Sequence, residues 1–364
     1  MKVLVTGGAG FIGSHVVDAL VDLEHEVRVL DVLHPVAHHG PPAYLNPAAK
    51  YVWGSVDDPD LARQCVKDID AVSHQAAMVG LGADLQDLSA YARHNDLGTA
   101  VLLGEMARCH FGGRLVLASS MVVYGEGRYR CARHGIVPAG PRDETLLREG
   151  RFEPLCLGCG GPLTPEAVPE SAPADPRNVY AATKVHQEHL CAAFAREVGV
   201  PFAALRYHNV FGPRMQKDTP YAGVASIFRS ALERGAPPEV FEDGRQLRDF
   251  VHVRDVARAN VLALTVDPPA QGPLNVATGR PSSIVEMADA LCRAFGPEAP
   301  RPVITGRYRL GDVRHVFAST ERAARILRFT AEIPFAEGMA EFATAPLRAS
   351  LEAGAQGPTR TRTR

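Results

Sequence analysis

No run of about 18 uninterrupted apolar residues occurs in this sequence, so nothing in it reads as a membrane-spanning helix. An excess of one charge sign is also lacking. The 39 Lys and Arg residues stand against 41 Asp and Glu, a formal net charge of −2, which leaves no electrostatic case for a DNA, RNA or anionic-membrane partner. The first residues, Met1-Lys2-Val3-Leu4-Val5-Thr6-Gly7, enter a strand pattern directly, without the longer apolar run and small-residue cleavage site of a secretory signal. The expectation is a cytoplasmic protein. No internal repeat of about 20–50 residues is visible. What remains is an ordinary globular composition of 364 residues, 46 % apolar and 22 % charged, enough for one large domain or two moderate ones.

Residues 3–5 read as a strand, 7–13 as a tight turn, 14–23 as an amphipathic helix and 27–30 as a second strand ending at Asp31. This is a β-α-β unit of about 30 residues. Further strands are expected at 51–53, 71–74, 114–118, 202–205 and 274–276, with helices at about 59–68, 93–110 and 179–198. Strands alternating with helices predict an α/β fold with a doubly wound parallel sheet of the Rossmann type. Residues 126–176 break the rhythm and read as an insertion. The stretch beyond about 213 mixes short helices and strands with many Pro and Gly, as a smaller mixed α/β lobe would. The division expected is a dinucleotide-binding domain over 1–207 and 247–268, a substrate lobe over 208–246 and 269–348, and a disordered polar tail over 349–364.

Glycines 7, 10 and 13 lie between the first strand and the first helix. They allow backbone to approach a pyrophosphate at a helix N-terminus, with Phe11 and Ile12 between them. Any tight turn favours glycine, so the flanking strand and helix carry this reading. Asp31 ends the second strand 18 residues past Gly13. A carboxylate there accepts both ribose hydroxyls and repels a 2′-phosphate, which favours NAD over NADP. Tyr180 and Lys184 share one face of a helix at i and i+4. A neighbouring ammonium lowers a phenol's pKa, and such a tyrosine can take a proton from a substrate hydroxyl while hydride leaves the carbon.

With these residues in place the chain resembles the extended short-chain dehydrogenase/reductases of the nucleotide-sugar epimerase and dehydratase group, over roughly residues 1–125 and 177–335. The resemblance implies further roles. Ser120, in Ala118-Ser119-Ser120-Met121-Val122-Val123-Tyr124-Gly125, would hydrogen-bond the reacting sugar oxygen. Gln75 and Ala76 would meet the cofactor, as would Asn95, matching an asparagine that is also structural. Asn209 would touch a substrate phosphate, and Arg248 and Arg309 would clamp a diphosphate. Guanidinium suits this through its planar, paired donors. The family's dimer, joined through a helix pair, is implied as well.

Two departures narrow the reaction. The family's 4,6-dehydratases carry an Asp-Glu pair directly after the catalytic hydroxyl, and the related decarboxylases use a carboxylate in the same strand. Here those positions are Met121 and Val122, which transfer no protons. Ser55 also replaces the family's aspartate near adenine. The reading left is NAD-dependent epimerisation of a nucleotide-diphosphate sugar, at C4 first and at C2 or C3 as alternatives. A nucleotide-sugar dehydrogenase or reductase, or a cofactor-sensing protein without catalysis, uses the same residues.

Seven cysteines are present. Cys65, Cys109, Cys191 and Cys292 are scattered at helical positions and read as small buried apolar residues. Cys131-Ala132-Arg133-His134 and Cys156-Leu157-Gly158-Cys159 instead form two knuckles inside the insertion, 21 residues apart. Three Cys and one His at these spacings predict a closed, tetrahedral structural zinc site. The alternatives are free thiols or a disulfide, the latter disfavoured in a cytosol. The insertion has too little apolar content to order itself by burial, so a metal would supply the ordering free energy.

Overall fold

The computed structural model describes residues 1–35, 37–38, 40–80, 85–217 and 223–348; the expected tail over 349–364 lies outside them. Seven short aliphatic runs form one parallel sheet. They are β1 (Lys2–Thr6), β2 (Glu26–Asp31), β3 (Lys50–Trp53), β4 (Ala71–His74), β5 (Arg114–Ser120), β6 (Phe202–Tyr207) and β7 (Gly272–Val276), in the order β7-β6-β5-β4-β1-β2-β3. The strands expected from sequence coincide with these seven.

The helices that matter for the site are α1 (Phe11–Val21), α2 (Pro59–Val66), α3 (Gly98–Arg108), α4 (Val179–Val198) and α5 (Val253–Thr265). Strand side chains alternate faces, and both faces are covered. Val3 and Val5 join Val16, Val17 and Leu20 of α1 and Val256 of α5 in one core. Leu4 points the other way, into a core with Leu102 and Met106 of α3 and Cys191 of α4. Burial on both faces is why these strands read as continuous apolar runs. The strand order reverses between β1 and β4, so the crevice beyond their carboxyl ends is the place where such folds take ligands. Among the described residues no helix is long and apolar enough to cross a membrane.

The helix expected at about 93–110 is present, with its first part widened: after a short α-turn at Leu88–Tyr91, the π-helical stretch Ala92–Leu97 runs on without a break into α3. The widened turn carries Asn95, whose side chain bonds Met78 and Thr183 rather than facing water. Two expectations need correction. The substrate lobe does not take all of 269–348, because β7 belongs to the parallel sheet and helix Glu321–Leu327 packs on its core through Ala323 and Leu327. Cys109 is only half-buried, whereas Cys65, Cys191 and Cys292 are buried.

The smaller lobe centres on Phe211, Phe228, Phe250, Met287, Leu291 and Phe342, around helices Val224–Glu233, Ile284–Phe295 and Phe335–Thr344. Its strand Asn209–Phe211 runs parallel to Phe250–His252. The insertion, aperiodic in sequence, holds a three-stranded antiparallel sheet in which Arg128–Cys131 lies between Gly135–Val137 and Leu163–Glu166. Its own core is Tyr129, Cys131, Ala139, Cys156 and Leu163.

Candidate active site

Gly7 has φ +70, and a Cβ there would sit 2.7 Å from the Ala76 nitrogen; a Cβ on Gly13 would sit 2.1 Å from the Gly7 carbonyl oxygen. Both glycines are therefore required by the close passage of β1, the β4 end and α1. The turn opens on a cavity of about 300 Å³ whose wall includes Gly7, Gly10, Phe11, Ile12, Gly13, Asp31, Gln75 and Ala76 and reaches Tyr180 and Lys184. The wall thus joins the glycine turn to Tyr180 and Lys184 within one space.

Asp31 is pinned at one end. Its carboxylate accepts from the Ala9 nitrogen at 2.9 Å and the Leu33 nitrogen at 2.8 Å, one donor per oxygen, so each oxygen keeps capacity for a ribose hydroxyl. Ser55 lines the cavity beside it and bonds Asp57. Gln75 is fixed by Ser73, Tyr207 and Asn260. Asn95, expected at the cofactor, is fully buried. Its amide accepts from the Met78 nitrogen at 2.7 Å and donates to the Met78 oxygen at 3.0 Å and Thr183 at 2.9 Å. It staples the segment after β4, part of the cavity wall, to α4. Below it His74, held neutral by burial with a pKa pushed down to about 3, bridges Thr6 and Thr99.

Asn178 caps α4 by accepting from the Ala181 nitrogen at 2.8 Å, which sets where Tyr180 and Lys184 stand. Ser120 ends β5 and bonds the Tyr180 phenol; its hydroxyl also accepts from the Val122 nitrogen at 3.3 Å. Lys184 donates to the Ala118 carbonyl at 2.8 Å, and its ammonium is 5.9 Å from the centre of the Tyr180 ring. Burial pushes Lys184 down from 10.5 to about 8. Burial also pushes the Tyr180 phenol up, against the Ser120 hydrogen bond. The lowering that a nearby ammonium would give is outweighed here by desolvation. Met121 and Val122 follow Ser120 in a 3₁₀ turn. Asp31, at the far end, is the sole carboxylate among the described residues that line the cavity.

The three candidate substrate residues on the smaller lobe lie off this wall. The Asn209 nitrogen donates to the Asp249 oxygen, and the Asn209 side-chain oxygen is buried without a partner. Arg248 spends three hydrogen bonds on the Leu247, Arg314 and Val313 carbonyls, at 2.8, 2.8 and 2.6 Å. Arg309 is exposed, stacked 4.9 Å over the Phe241 ring. Arg248 and Arg309 both act on the Asp312 carboxylate, so the fold brings them to one neighbourhood.

In the insertion, the ligand atoms of Cys131, His134, Cys156 and Cys159 lie within 4.8 Å of one another. Cys131 Sγ is 3.7 Å from Cys159 Sγ, and His134 Nδ1 is 3.3 Å from Cys156 Sγ. Two thiolates about 2.3 Å from a tetrahedral ion would stand about 3.8 Å apart, so the four donors suit one metal ion.

Sequence reasoning missed part of the wall. His34, His38 and Arg348 line the Asp31 end. Arg348 arrives from the far end of the chain, its nitrogen donating to the Met215 oxygen at 3.0 Å. No local pattern marks these residues. It also missed a buried ion network at the foot of the insertion, centred on Arg314, which is fully buried.

A dinucleotide crevice with a Ser-Tyr-Lys set at one end defines an enzyme of the short-chain dehydrogenase type. The model of the NAD dependent epimerase/dehydratase family matches residues 3–145 and 158–277, the gap falling inside the insertion. The dTDP-L-rhamnose 4-epimerase of Burkholderia thailandensis is 33 % identical over 349 residues, 94 % of each chain. A putative UDP-glucose 4-epimerase of Methanocaldococcus jannaschii is 32 % identical over 93 % of this chain and 95 % of its own. The UDP-glucose 4-epimerase of Thermotoga maritima, solved with UDP-glucose, superposes with a TM-score of 0.77 at 29 % identity, covering 94 % of this chain and 97 % of that one. The chain belongs to the NAD-dependent epimerase/dehydratase family.

Proposed function

We infer that this protein is an NAD-dependent epimerase of a nucleotide-diphosphate sugar, acting at C4. The observation that carries the reading is the cavity itself: Tyr180 and Lys184 at one end, the glycine turn and Asp31 at the other, and, among the described residues, no carboxylate lining the Tyr180 end. That last feature disfavours dehydration and decarboxylation, which need a second proton-transfer group.

Gly7, Gly10, Phe11, Ile12 and Gly13 would hold the pyrophosphate of NAD, Asp31 its adenosine ribose, and Gln75, Ala76, Tyr180 and Lys184 the other end, with Asn95 bracing the wall. Bound there, NAD supplies a reversible hydride acceptor. Tyr180, as the phenolate, would take the proton of the sugar hydroxyl, become the neutral phenol, and later return that proton to the ketone oxygen. Ser120 bonds the same oxygen, orienting it toward the phenol. Lys184, buried and cationic at neutral pH, would stabilise the phenolate that accepts this proton. Asn209, Arg248 and Arg309 would hold the nucleotide diphosphate while the sugar turns over. The 4-epimerase activities named for the Burkholderia and Thermotoga relatives support C4.

The Cys131, His134, Cys156 and Cys159 cluster would hold a structural zinc ion, with all four positions filled by protein. Keeping three thiols reduced suits a cytoplasmic setting. We assign residues 126–176 to this module. A homodimer through α3 and α4 is the assembly we expect, with Leu97, 51 % exposed just before α3, beside that face.

The test is incubation with a panel of UDP- and dTDP-hexoses without added cofactor, followed by NMR of the products. A pair of C4 epimers at equilibrium is expected. A requirement for stoichiometric NAD, with an oxidised sugar as product, would instead make the protein a dehydrogenase.

A further inference from the structure

The insertion does more than sit beside the active site. One face of its small sheet carries Cys131 and, two residues earlier on the same side, the fully buried Tyr129. The Tyr129 hydroxyl accepts from the His315 nitrogen at 3.2 Å. Gly127, at φ +84, lies against the same residue so closely that a Cβ would stand 2.5 Å from the His315 oxygen. Glu126 accepts from the Arg314 nitrogen at 2.9 Å. Glu153, three residues before the ligand Cys156, takes the Arg314 guanidinium at 2.6 and 3.0 Å and the His315 ring at 2.9 Å. Arg314 and His315, and with them the segment 313–315, are therefore held from one side by the insertion.

From the other side the same segment holds Arg248. Two of the three carbonyls that receive its guanidinium are those of Val313 and Arg314. Arg314 also reaches across to Glu242 at 2.8 Å and Asp243 at 2.7 Å. Glu242 is gripped in turn by Arg142 of the insertion at 2.7 Å. These side chains are distant in sequence; Tyr129, Glu126, Glu242, Arg314 and His315 are buried, while Glu153 is half-exposed, and each partner fixes the next. The module that makes the grip has a core of five buried residues, too few to order it by burial alone.

We propose that the metal-stapled insertion is the back support of the nucleotide-diphosphate site: by holding segment 313–315 it orients Arg248, and metal occupancy sets the affinity for the nucleotide part of the substrate. The proposal rests on the zinc and diphosphate assignments made above. Glu153, Arg142 and Tyr129 act as positioning residues, because they touch the arginine's carbonyl cradle or its neighbours and none of them lines the hydride-transfer cavity.

The experiment uses the NAD-loaded full chain. Metal content is measured first. The affinity for UDP and dTDP alone is then measured by calorimetry, with KM and kcat for the turned-over sugar, in five samples: parent, chelator-treated parent, chelator-treated parent reloaded with Zn²⁺, Glu153→Gln and Arg248→Gln. Chelation and Glu153→Gln should each weaken diphosphate binding and raise KM about tenfold, the scale of one lost charge-assisted hydrogen bond. NAD retention and kcat should stay within about twofold, and Zn²⁺ should restore the chelated sample. A general loss of structure would lower kcat and NAD retention together, so the KM-against-kcat split separates positioning from unfolding. If Arg248→Gln weakens binding while Glu153→Gln and chelation leave it unchanged, the coupling is wrong and the diphosphate assignment survives. If Arg248→Gln has no effect, the diphosphate assignment itself fails. If the purified protein holds no metal and binds UDP as tightly before Zn²⁺ addition as after, the metal's part in the proposal is overturned.

Discussion

Replacing Lys184 by Met should make the protein more stable at neutral pH and inactive, with a stability gain that shrinks as the pH rises. Lys184 is 3 % exposed, and burial lowers its pKa from 10.5 to about 8. At 1.36 kcal/mol per pKa unit, that displacement represents about 3 kcal/mol of penalty for keeping the ammonium buried. The sign follows from proton counting. Between about 8 and 10.5 the unfolded chain binds the proton and the folded chain does not, so the parent gains stability with rising pH through that window. At pH 7 nearly the full penalty is present; at pH 9.5 about 1.4 kcal/mol of it is left. Lost packing and the lost bond to the Ala118 carbonyl alter the variant by an amount that does not depend on pH. Hence the stability difference between Lys184→Met and parent should move by about 2 kcal/mol against the variant from pH 7 to 9.5. Urea denaturation of cofactor-free protein at closely spaced pH values measures this directly. A difference that stays flat across that range would refute the claim that the lysine is held charged against its surroundings.

Three other outcomes follow from the same geometry. Gly13→Ala places a methyl 2.1 Å from the Gly7 carbonyl oxygen, a backbone clash no rotamer relieves, so this variant should purify with at least tenfold less NAD than parent. The measurement is cofactor release on acid precipitation. Tyr180→Phe should keep its NAD and lose about 10²–10⁴-fold in turnover, the range for a missing general acid–base group, read by NMR of epimer interconversion. Chelation should open the insertion first: protease cuts, mapped by mass spectrometry, should appear within 126–176 while the parallel sheet stays intact, because metal binding at such a site is worth on the order of 10 kcal/mol of ordering free energy.

How far the sequence revealed the molecule depended on how local each signal was. Val3-Leu4-Val5 could be read because a strand buried on both faces is apolar at every step, and the glycine turn because its neighbours in sequence are its neighbours in space. The two cysteine knuckles could be read for the same reason. The short strands of the smaller lobe, two or three residues each, carry no periodicity. The π-turn at Ala92–Leu97 is set by what Asn95 reaches, Met78 and Thr183, which no local pattern encodes. Arg314 looked like any charged surface residue. It is buried because Glu153, Glu242 and Asp243, from two other parts of the chain, converge on it. Arg348 joins the cavity wall in the same non-local way. The pKa reasoning also needed the fold: i and i+4 spacing suggested an ammonium acting on a phenol, while the structure shows burial dominating both groups.

The fate of the hydrogen at sugar C4 tests epimerisation by hydride transfer most directly. A nucleotide hexose carrying deuterium at that carbon, turned over by the NAD-loaded protein in ordinary water, should yield the C4 epimer with the deuterium still at C4 and no accumulated NADH. Loss of the label to solvent, or a stoichiometric build-up of deuterated NADH, would contradict it.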